Sequence, residues 1–223
     1  MRSIASAILA MACGTGVFAQ TSASWTTAFA IDKRELSAAG RNPYFVLEPG
    51  YTLVLEGGKT RLIVTVLNET LRVDDVETRV VEERETENDA LVEVSRNFFA
   101  ISSRSNAVFY FGEDVDEYKN GKVASHGGAW RAGVNGAAFG MMMPGDPLLG
   151  ARFYQEVAPK VAMDRAQIVS LNTSVTTPAG AFTNCLKTEE TTPLEPGVKE
   201  YKLYARGIGL VQDGSLKLVR SSK

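Results

Sequence analysis

The stretch that decides the fold reads YTLVLEGGKTRLIVTVL and spans residues 51–67. Two runs rich in Val, Leu, Ile and Thr flank the pair Gly57-Gly58, a pattern typical of two antiparallel strands joined by a tight turn. Comparable runs recur at residues 76–87, 91–101, 108–114, 152–156, 162–171, 181–190, 200–205 and 215–220. The sequence therefore predicts a mainly all-β protein, built as a single strongly curved antiparallel sheet or open barrel with a long apolar loop and little helix.

The N-terminal residues 1–19 have the pattern of a cleavable secretory signal peptide. Arg2 gives a basic start, residues 4–12 are apolar, and small residues precede Gln20. The apolar run is too short to span a bilayer, which takes about 20 residues. We therefore expect cleavage after Ala19 and a periplasmic or secreted protein. The alternative is cleavage before Cys13, with a lipid anchor on that cysteine.

The rest of the chain fits one domain. We expect a partly ordered N-terminal segment at residues 20–43 and a single antiparallel β domain at residues 44–223. Because Cys13 leaves with the signal peptide, Cys185 has no intrachain partner, and we expect it to be buried rather than reactive. The 24 basic and 26 acidic residues form no basic block, which excludes a role in binding nucleic acid. No later segment is long and apolar enough to be transmembrane.

Residues 127–150 form an unusual segment that reads GGAWRAGVNGAAFGMMMPGDPLLG. Solvated loops are polar, whereas this one is apolar enough that it must pack on something. One interpretation is a loop that plugs one end or face of the curved sheet. The other is a mobile flap over an apolar cavity. In that case the candidate ligand-binding residues are Trp130, Phe139, Met141, Met142 and Met143.

The single histidine of the chain, His126, lies near a predicted hairpin turn at Asn120-Gly121. A two-residue turn there pairs His126 with Val115 and places Glu113 and Glu117 on the same face as the ring. A histidine with two carboxylates could hold a divalent metal ion or act as a base. The alternative is a surface histidine with two acidic neighbours.

The sequence contains no recognisable motif for nucleotide binding or nucleophilic catalysis. There is no phosphate-binding loop, no dinucleotide fingerprint and no G-x-S-x-G motif before a helix, so we expect no cofactor. Six charged residues fall within predicted strands and read as a solvated sheet face with surface ion pairs. An arginine-lined groove for an anionic ligand is the alternative. These residues are Arg79, Arg84, Arg96, Glu83, Glu85 and Glu93.

The C-terminal third reads TPAGAF at residues 177–182, NC at residues 184–185 and YARGIGLV at residues 204–211. This ending is similar to one that recurs in bacterial exported proteins. Some of those resemble the lipoprotein-carrier (LolA/LolB-like) fold. The resemblance implies a strongly curved antiparallel sheet around an apolar cavity closed by helices or loops, and it carries no catalytic residue.

These features favour an exported, non-enzymatic protein that binds its partner in the concavity of a curved sheet. The partner would be a lipid, another apolar or amphipathic ligand, or a protein of the cell envelope. Two alternatives stay open at this point. One is a metal-dependent or acid/base enzyme centred on His126 with Glu113 and Glu117, and the other is a structural module for envelope assembly.

Overall fold

The computed structural model describes residues 24–223, so the predicted signal peptide and Cys13 lie outside the described residues. Within that range the regular structure is one turn of 3₁₀ helix, at Lys33–Glu35, and eighteen strands. The Asp32 side chain caps the helical turn by accepting a hydrogen bond from the Arg34 amide. No helix in this range is long and apolar enough to cross a membrane.

The strands are named here in chain order. They are β1 (Leu36–Ser37), β2 (Gly40–Asn42), β3 (Phe45–Leu47), β4 (Thr52–Gly57), β5 (Thr60–Val73), β6 (Val76–Glu87), β7 (Ala90–Ser102), β8 (Val108–Lys119), β9 (Lys122–Ser125), β10 (Trp130–Arg131), β11 (Ala138–Met143), β12 (Arg152–Tyr154), β13 (Glu156–Val157), β14 (Arg165–Thr177), β15 (Gly180–Thr191), β16 (Glu200–Ala205), β17 (Gly209–Asp213) and β18 (Leu216–Ser222). β2 and β3 form a separate hairpin, and the other sixteen described strands belong to one sheet. All strand pairs within this sheet are antiparallel, from the long β5–β6 hairpin to the two-residue pairing of β1 with β7.

The large sheet curves until its two ends meet. Its hydrogen-bonded path runs β12-β14-β15-β16-β17-β18-β4-β5-β6-β7-β8-β11-β13. The end strands β12 and β13 are consecutive in the chain, with Gln155 alone between them. The sheet is therefore nearly closed into a barrel through a single residue, which confirms the prediction of an all-β curved sheet or open barrel.

The N-terminal segment packs against the sheet near this closure. Thr26 makes a parallel bridge to Phe153, and backbone hydrogen bonds join Thr26 to Arg152 and Tyr154. The ring of Phe29 lies edge-on to that of Phe109, with 5.9 Å between their centres. Residues 24–43 are thus tied to the β domain by strands and ring contacts.

The segment at residues 127–150, which the sequence predicts as a loop, contributes two strands. β10 pairs with β8 through Trp130 and Glu113, and β11 pairs with β8 through Gly140 and Tyr110. Trp130 and Met143 are buried, and Phe139, Met141 and Met142 pack against the core, which accounts for part of the apolar composition. Val134, Leu148 and Leu149 are exposed, so the expectation that the whole segment packs on something is wrong for these residues.

Two sequence predictions about local structure have different outcomes. Asn120 and Gly121 both have positive φ, at 54° and 73°, as the predicted type I′ turn requires. The predicted register, which pairs His126 with Val115, is wrong, because a bulge in β9 shifts it by one residue and pairs Glu117 with Ser125. Since side chains alternate between the faces of a strand, a one-residue shift turns the following side chains to the opposite face.

The core is formed by large apolar side chains from most of the sheet. Cys185 is among them, fully buried with a free thiol whose pKa is raised by burial. This matches the expectation of a small buried hydrophobe. The largest fully buried residues of the described chain are Phe98, Phe109, Phe111, Leu47, Leu55, Met143, Ile168, Leu186 and Leu218.

The closure point needs a glycine opposite it. A Cβ atom added to Gly140 on β11 would lie 2.1 Å from the backbone oxygen of Gln155, far inside van der Waals contact. We expect Gly140→Ala to lower the free energy of unfolding by about 1–3 kcal/mol, because backbone must move to admit one methyl group. Urea-induced unfolding followed by circular dichroism measures this change.

Gly127→Ala is the matched control. Gly127 also lies outside the positive-φ region, and its added Cβ would meet only side-chain atoms of Glu117 and Ser125, the nearest of them at 3.3 Å. We expect its effect to stay within about 0.5 kcal/mol. Equal losses for the two variants would show that the approach of β11 to Gln155 does not limit stability.

Candidate functional site

The interior of the curved sheet contains a cavity with two adjoining parts. An apolar recess of about 70 Å³ is lined mainly by aromatic and aliphatic side chains. A larger polar part of about 450 Å³ is lined largely by carboxylates. Glu83, Met142 and Lys202 line both parts, so the two parts share a wall. The recess residues include Tyr44, Phe45, Tyr51, Leu53, Val64, Val66, Val81, Ile208 and Leu210.

Strand alternation puts acidic side chains into this interior. Glu93, Ser95, Asn97 and Phe99 occupy alternate positions on β7, and all four line the polar part. Their neighbours Val94 and Arg96 line a surface depression on the opposite face. The same alternation on β6 turns Glu83 inward, while Glu82 and Arg84 face that depression.

The described cavity lining contains one basic side chain, Lys202 on β16. Its Nζ atom lies 3.2 Å from a carboxylate oxygen of Glu190 and 3.6 Å from one of Asp213. The nearby Glu190 charge, followed by that of Asp213, raises the pKa of Lys202 well above its ordinary value. Lys202 therefore stays charged, and both of its partners are carboxylates of the same cavity.

Gln155 joins the closure point to this ion-pair group. Its amide nitrogen lies 3.4 Å from Glu190 Oε1 and 3.6 Å from the Met142 sulfur, and the residue is buried. The Thr188 hydroxyl donates to the same Glu190 oxygen at 3.0 Å. Together with the Lys202 ion pair, these contacts hold the Glu190 carboxylate in place from three residues of the fold.

The other carboxylates of the cavity have no basic partner within ion-pair distance in the described part of the chain. They are Glu83, Glu93, Glu113, Glu156, Asp164 and Glu195. Burial raises the pKa of Glu83 to about 7, against the attraction of Lys202. Burial likewise raises the pKa of Glu113 to about 7, against a hydrogen bond with Tyr110. Burial and then the Glu113 charge raise the pKa of Glu156 well above its ordinary value.

These carboxylates do not form a metal site. In residues 24–223 no three His, Cys, Asp or Glu side chains are arranged to hold a metal ion. The carboxylates come from several strands around the cavity and line it rather than converge on one point. The arrangement can hold protons and accept hydrogen bonds over a broad surface, and it presents a large negative charge when the protons leave.

The residues predicted to bind a ligand are divided among several environments. Met142 lines both parts of the cavity, as expected of a lining residue. Met143 is packed in the core, and Phe139 stacks on Phe111 with 5.0 Å between ring centres. Met141 is half-buried against the core.

Trp130 lies at a separate depression. It lines this depression together with Arg131 and Asn135. Its indole nitrogen is buried and is the one such side-chain atom of the described residues without a hydrogen-bond partner. Because that nitrogen is closed off from the surface, we assign it no ligand.

The residues predicted around His126 do not come together. His126 Nδ1 lies 2.8 Å from a carboxylate oxygen of Asp116 and 2.9 Å from the Val115 carbonyl oxygen. The sequence predicts Glu113 and Glu117 on the same face as the ring, and the bulge in β9 described above places Asp116 beside it. Glu113 instead lines the interior cavity, and His126 lines the surface depression with Asp114 and Asp116.

Comparisons with protein-family models, with curated proteins and with solved structures found no match to this chain. The resemblance of the C-terminal third to the lipoprotein-carrier fold stays a prediction. The assignment of a function rests on the geometry of the cavity.

Sequence reasoning missed most of this cavity. Glu83 and Glu93 were interpreted as part of a solvated face, whereas they line the interior. The signal that could have indicated the cavity is the alternation of Glu83 and Glu93 with Glu82, Arg84 and Val94. Both faces of such strands carry polar residues, and one face of each strand must be turned to the interior in a closed sheet.

The buried carboxylates predict a pH-dependent stability. Glu83 and Glu113 have pKa values of about 7 in the folded protein, against an ordinary 4.5. Between these values the folded state holds protons that the unfolded state has lost, so the free energy of unfolding falls as pH rises through that window. We expect the double variant Glu83→Gln/Glu113→Gln to reduce this fall by at least about 2 kcal/mol, measured by urea unfolding at a series of pH values.

Glu117→Gln is the control, because Glu117 lies on β8 like Glu113 but is exposed. The carboxyl of Glu48, whose pKa is lowered to about 2 by Arg41, stabilises the fold above about pH 4.5 and adds no slope in the window. A wild-type stability that is constant or rises between about pH 5 and about pH 7 would contradict the prediction.

Proposed function

We propose that this is an exported, non-enzymatic protein that binds a small amphipathic ligand inside its curved sheet. The observation that carries the proposal is the shared wall of the two cavity parts, formed by Glu83, Met142 and Lys202. An apolar recess adjoining a polar chamber fits a molecule with one apolar end and one polar end.

The charge of the lining limits the polar end. Lys202 already has Glu190 and Asp213 as partners, and the remaining charged groups of the polar part are carboxylates. An anionic head group would meet like charges in a medium of low dielectric constant, which costs several kcal/mol. The proposed ligand is therefore uncharged or cationic, which argues against a fatty acid or an anionic phospholipid.

The geometry favours a binder over the two alternatives. An acid/base or metal-dependent enzyme centred on His126 needs Glu113 and Glu117 beside the ring, and Asp116 lies there instead. An envelope-assembly module would need a free sheet edge for its partner. The end strands β12 and β13 have three and two residues and are joined through Gln155. Of the side strands that pair on one side, β1 and β10 have two residues and β9 has four, so the edges they offer are short.

Export is the second part of the proposal. It rests on the basic start at Arg2, the apolar residues 4–12 and the small residues before Gln20. Expression of the full chain in a bacterial host with fractionation of the cells tests it. A mature protein beginning at Gln20 in the periplasm or the medium is expected, and retention of the full-length chain in the cytoplasm would contradict it.

Binding is tested with three amphiphiles that share a hexyl tail: an uncharged hexyl glucoside, hexylammonium and hexanoate. We expect calorimetry to detect binding of at least one of the first two. We expect Ile208→Glu to weaken that binding by at least about tenfold, because a carboxylate in the recess opposes an apolar tail. Ile208 lies in a turn, which limits the effect of the change on the strands.

Leu148→Glu is the matched control, since Leu148 is 67% exposed and lies away from both cavity parts. Thermal unfolding of both variants establishes that they are folded. If no probe binds to the wild type, or if the two variants bind it equally well, ligand binding in the recess is refuted.

A further inference from the structure

The charge balance of the cavity points to the class of its ligand. Six carboxylates of the polar part have no basic partner at ion-pair distance in the described residues. Glu83, Glu93, Glu113 and Glu156 are half-buried, whereas Asp164 and Glu195 are exposed. A half-buried carboxylate without a partner favours taking up a proton or having a cation beside it. A ligand that brings its own positive charge would take the place of such protons.

Glu83 is the one carboxylate among the three residues that line both the recess and the polar part. It is half-buried, and its carboxylate makes no hydrogen bond and no ion pair within residues 24–223. The hydrogen-bond partners of its neighbours are already fixed, since Glu190 is held by Thr188 and Lys202. Glu83 is therefore an unused acceptor that faces the place where a tail in the recess would end.

A metal ion is a poor fit for this surface. Divalent ions need several ligands at short and nearly equal distances, and no described group of three acidic, histidine or cysteine side chains offers them. An organic ammonium group needs only hydrogen-bond acceptors within reach of its N–H groups. Its attached carbon chain also matches the apolar recess.

We propose that the cavity binds an amphipathic organic ammonium compound, with its apolar end in the recess and its ammonium group at Glu83. This inference rests on the proposed function and specifies its ligand. Arrival of the cation favours the ionised carboxylates, so bound protons leave to solvent and the charge of the cavity changes little.

Several other titratable groups face the cavity and act on the same equilibrium. Glu93 and Glu113 on neighbouring strands, Glu156 on β13, and Asp164 add negative charge, and Lys202 opposes the incoming cation. The titratable residues that line the two parts are Tyr44, Tyr51, Glu83 on β6, Glu93 on β7, Tyr110 and Glu113 on β8, Glu156 on β13, Asp164, Glu190 on β15, Glu195, Lys202 and Tyr204 on β16, and Asp213 on β17. Glu85 on β6 lines neither part, but its charge raises the pKa of Glu83.

The test compares hexylammonium with hexyl glucoside from about pH 5.5 to about pH 8. An alkylammonium group, like a lysine side chain, keeps its charge throughout this range. We expect the affinity for hexylammonium to rise at least about tenfold with pH, and calorimetry in buffers of different ionisation heat to detect proton release. The affinity for hexyl glucoside should not rise.

Glu83→Gln should weaken hexylammonium binding at about pH 8 by at least about tenfold relative to hexyl glucoside binding, and it should flatten the pH dependence of hexylammonium binding. Glu77→Gln is the control, because Glu77 is an exposed carboxylate on the same strand. Binding of both probes with equal affinity and no pH dependence would overturn the ammonium inference but leave the proposed function intact. Absence of binding by either probe would refute both.

Discussion

The structure depends on the closure of its sheet at Gln155. β12 pairs with β14 at one end of the path and β13 pairs with β11 at the other, so a single residue connects the two edges. The backbone there can approach β11 only because Gly140 has no side chain. Closure removes most of the free edge and turns one face of every strand into an interior. It also places the Gln155 side chain on Glu190, so the closure point is itself part of the cavity wall.

An interior formed in this way need not be apolar throughout. The recess is lined by Leu53 on β4, by Val64 and Val66 on β5 and by Tyr51 just before β4, whereas the polar part carries the carboxylates of β6, β7 and β8. The protein thus buries several acidic groups whose ionised forms are disfavoured by burial, and Lys202 can neutralise only part of their charge. Such an arrangement lowers stability at neutral pH without any structural gain that the contacts reveal. A loss of folding stability that a protein retains in this way is characteristic of functional sites.

Much of the fold could be predicted from the sequence because its signals are local. The run at residues 51–67 predicts the β4–β5 hairpin, and Asn120-Gly121 adopts the positive φ values of its predicted turn. The bulge before Ser125 could not be predicted, since it adds one residue without any distinctive residue type. That one residue turned His126 towards Asp116. The strands within residues 127–150 could not be predicted either. Their many glycines resemble those of a loop, and their pairing with β8 joins residues that are distant in the sequence.

The cavity was harder to predict for a reason specific to polar barrels. Period-two alternation shows that Glu83 and Glu93 share a face, but it does not show which face is interior when both carry charge. That depends on the direction of curvature, which the sheet fixes only by closing at Gln155. Once the direction of curvature is known, the alternation assigns each charged side chain to a face. Glu82, Arg84 and Arg96 form ion pairs on the outside, whereas Glu83 on β6, Glu93 on β7 and Glu113 on β8 lack basic partners within the described residues. The arginines that would have neutralised them are on the adjacent positions of the same strands, turned away from the cavity, so the excess negative charge of the interior follows from the register itself.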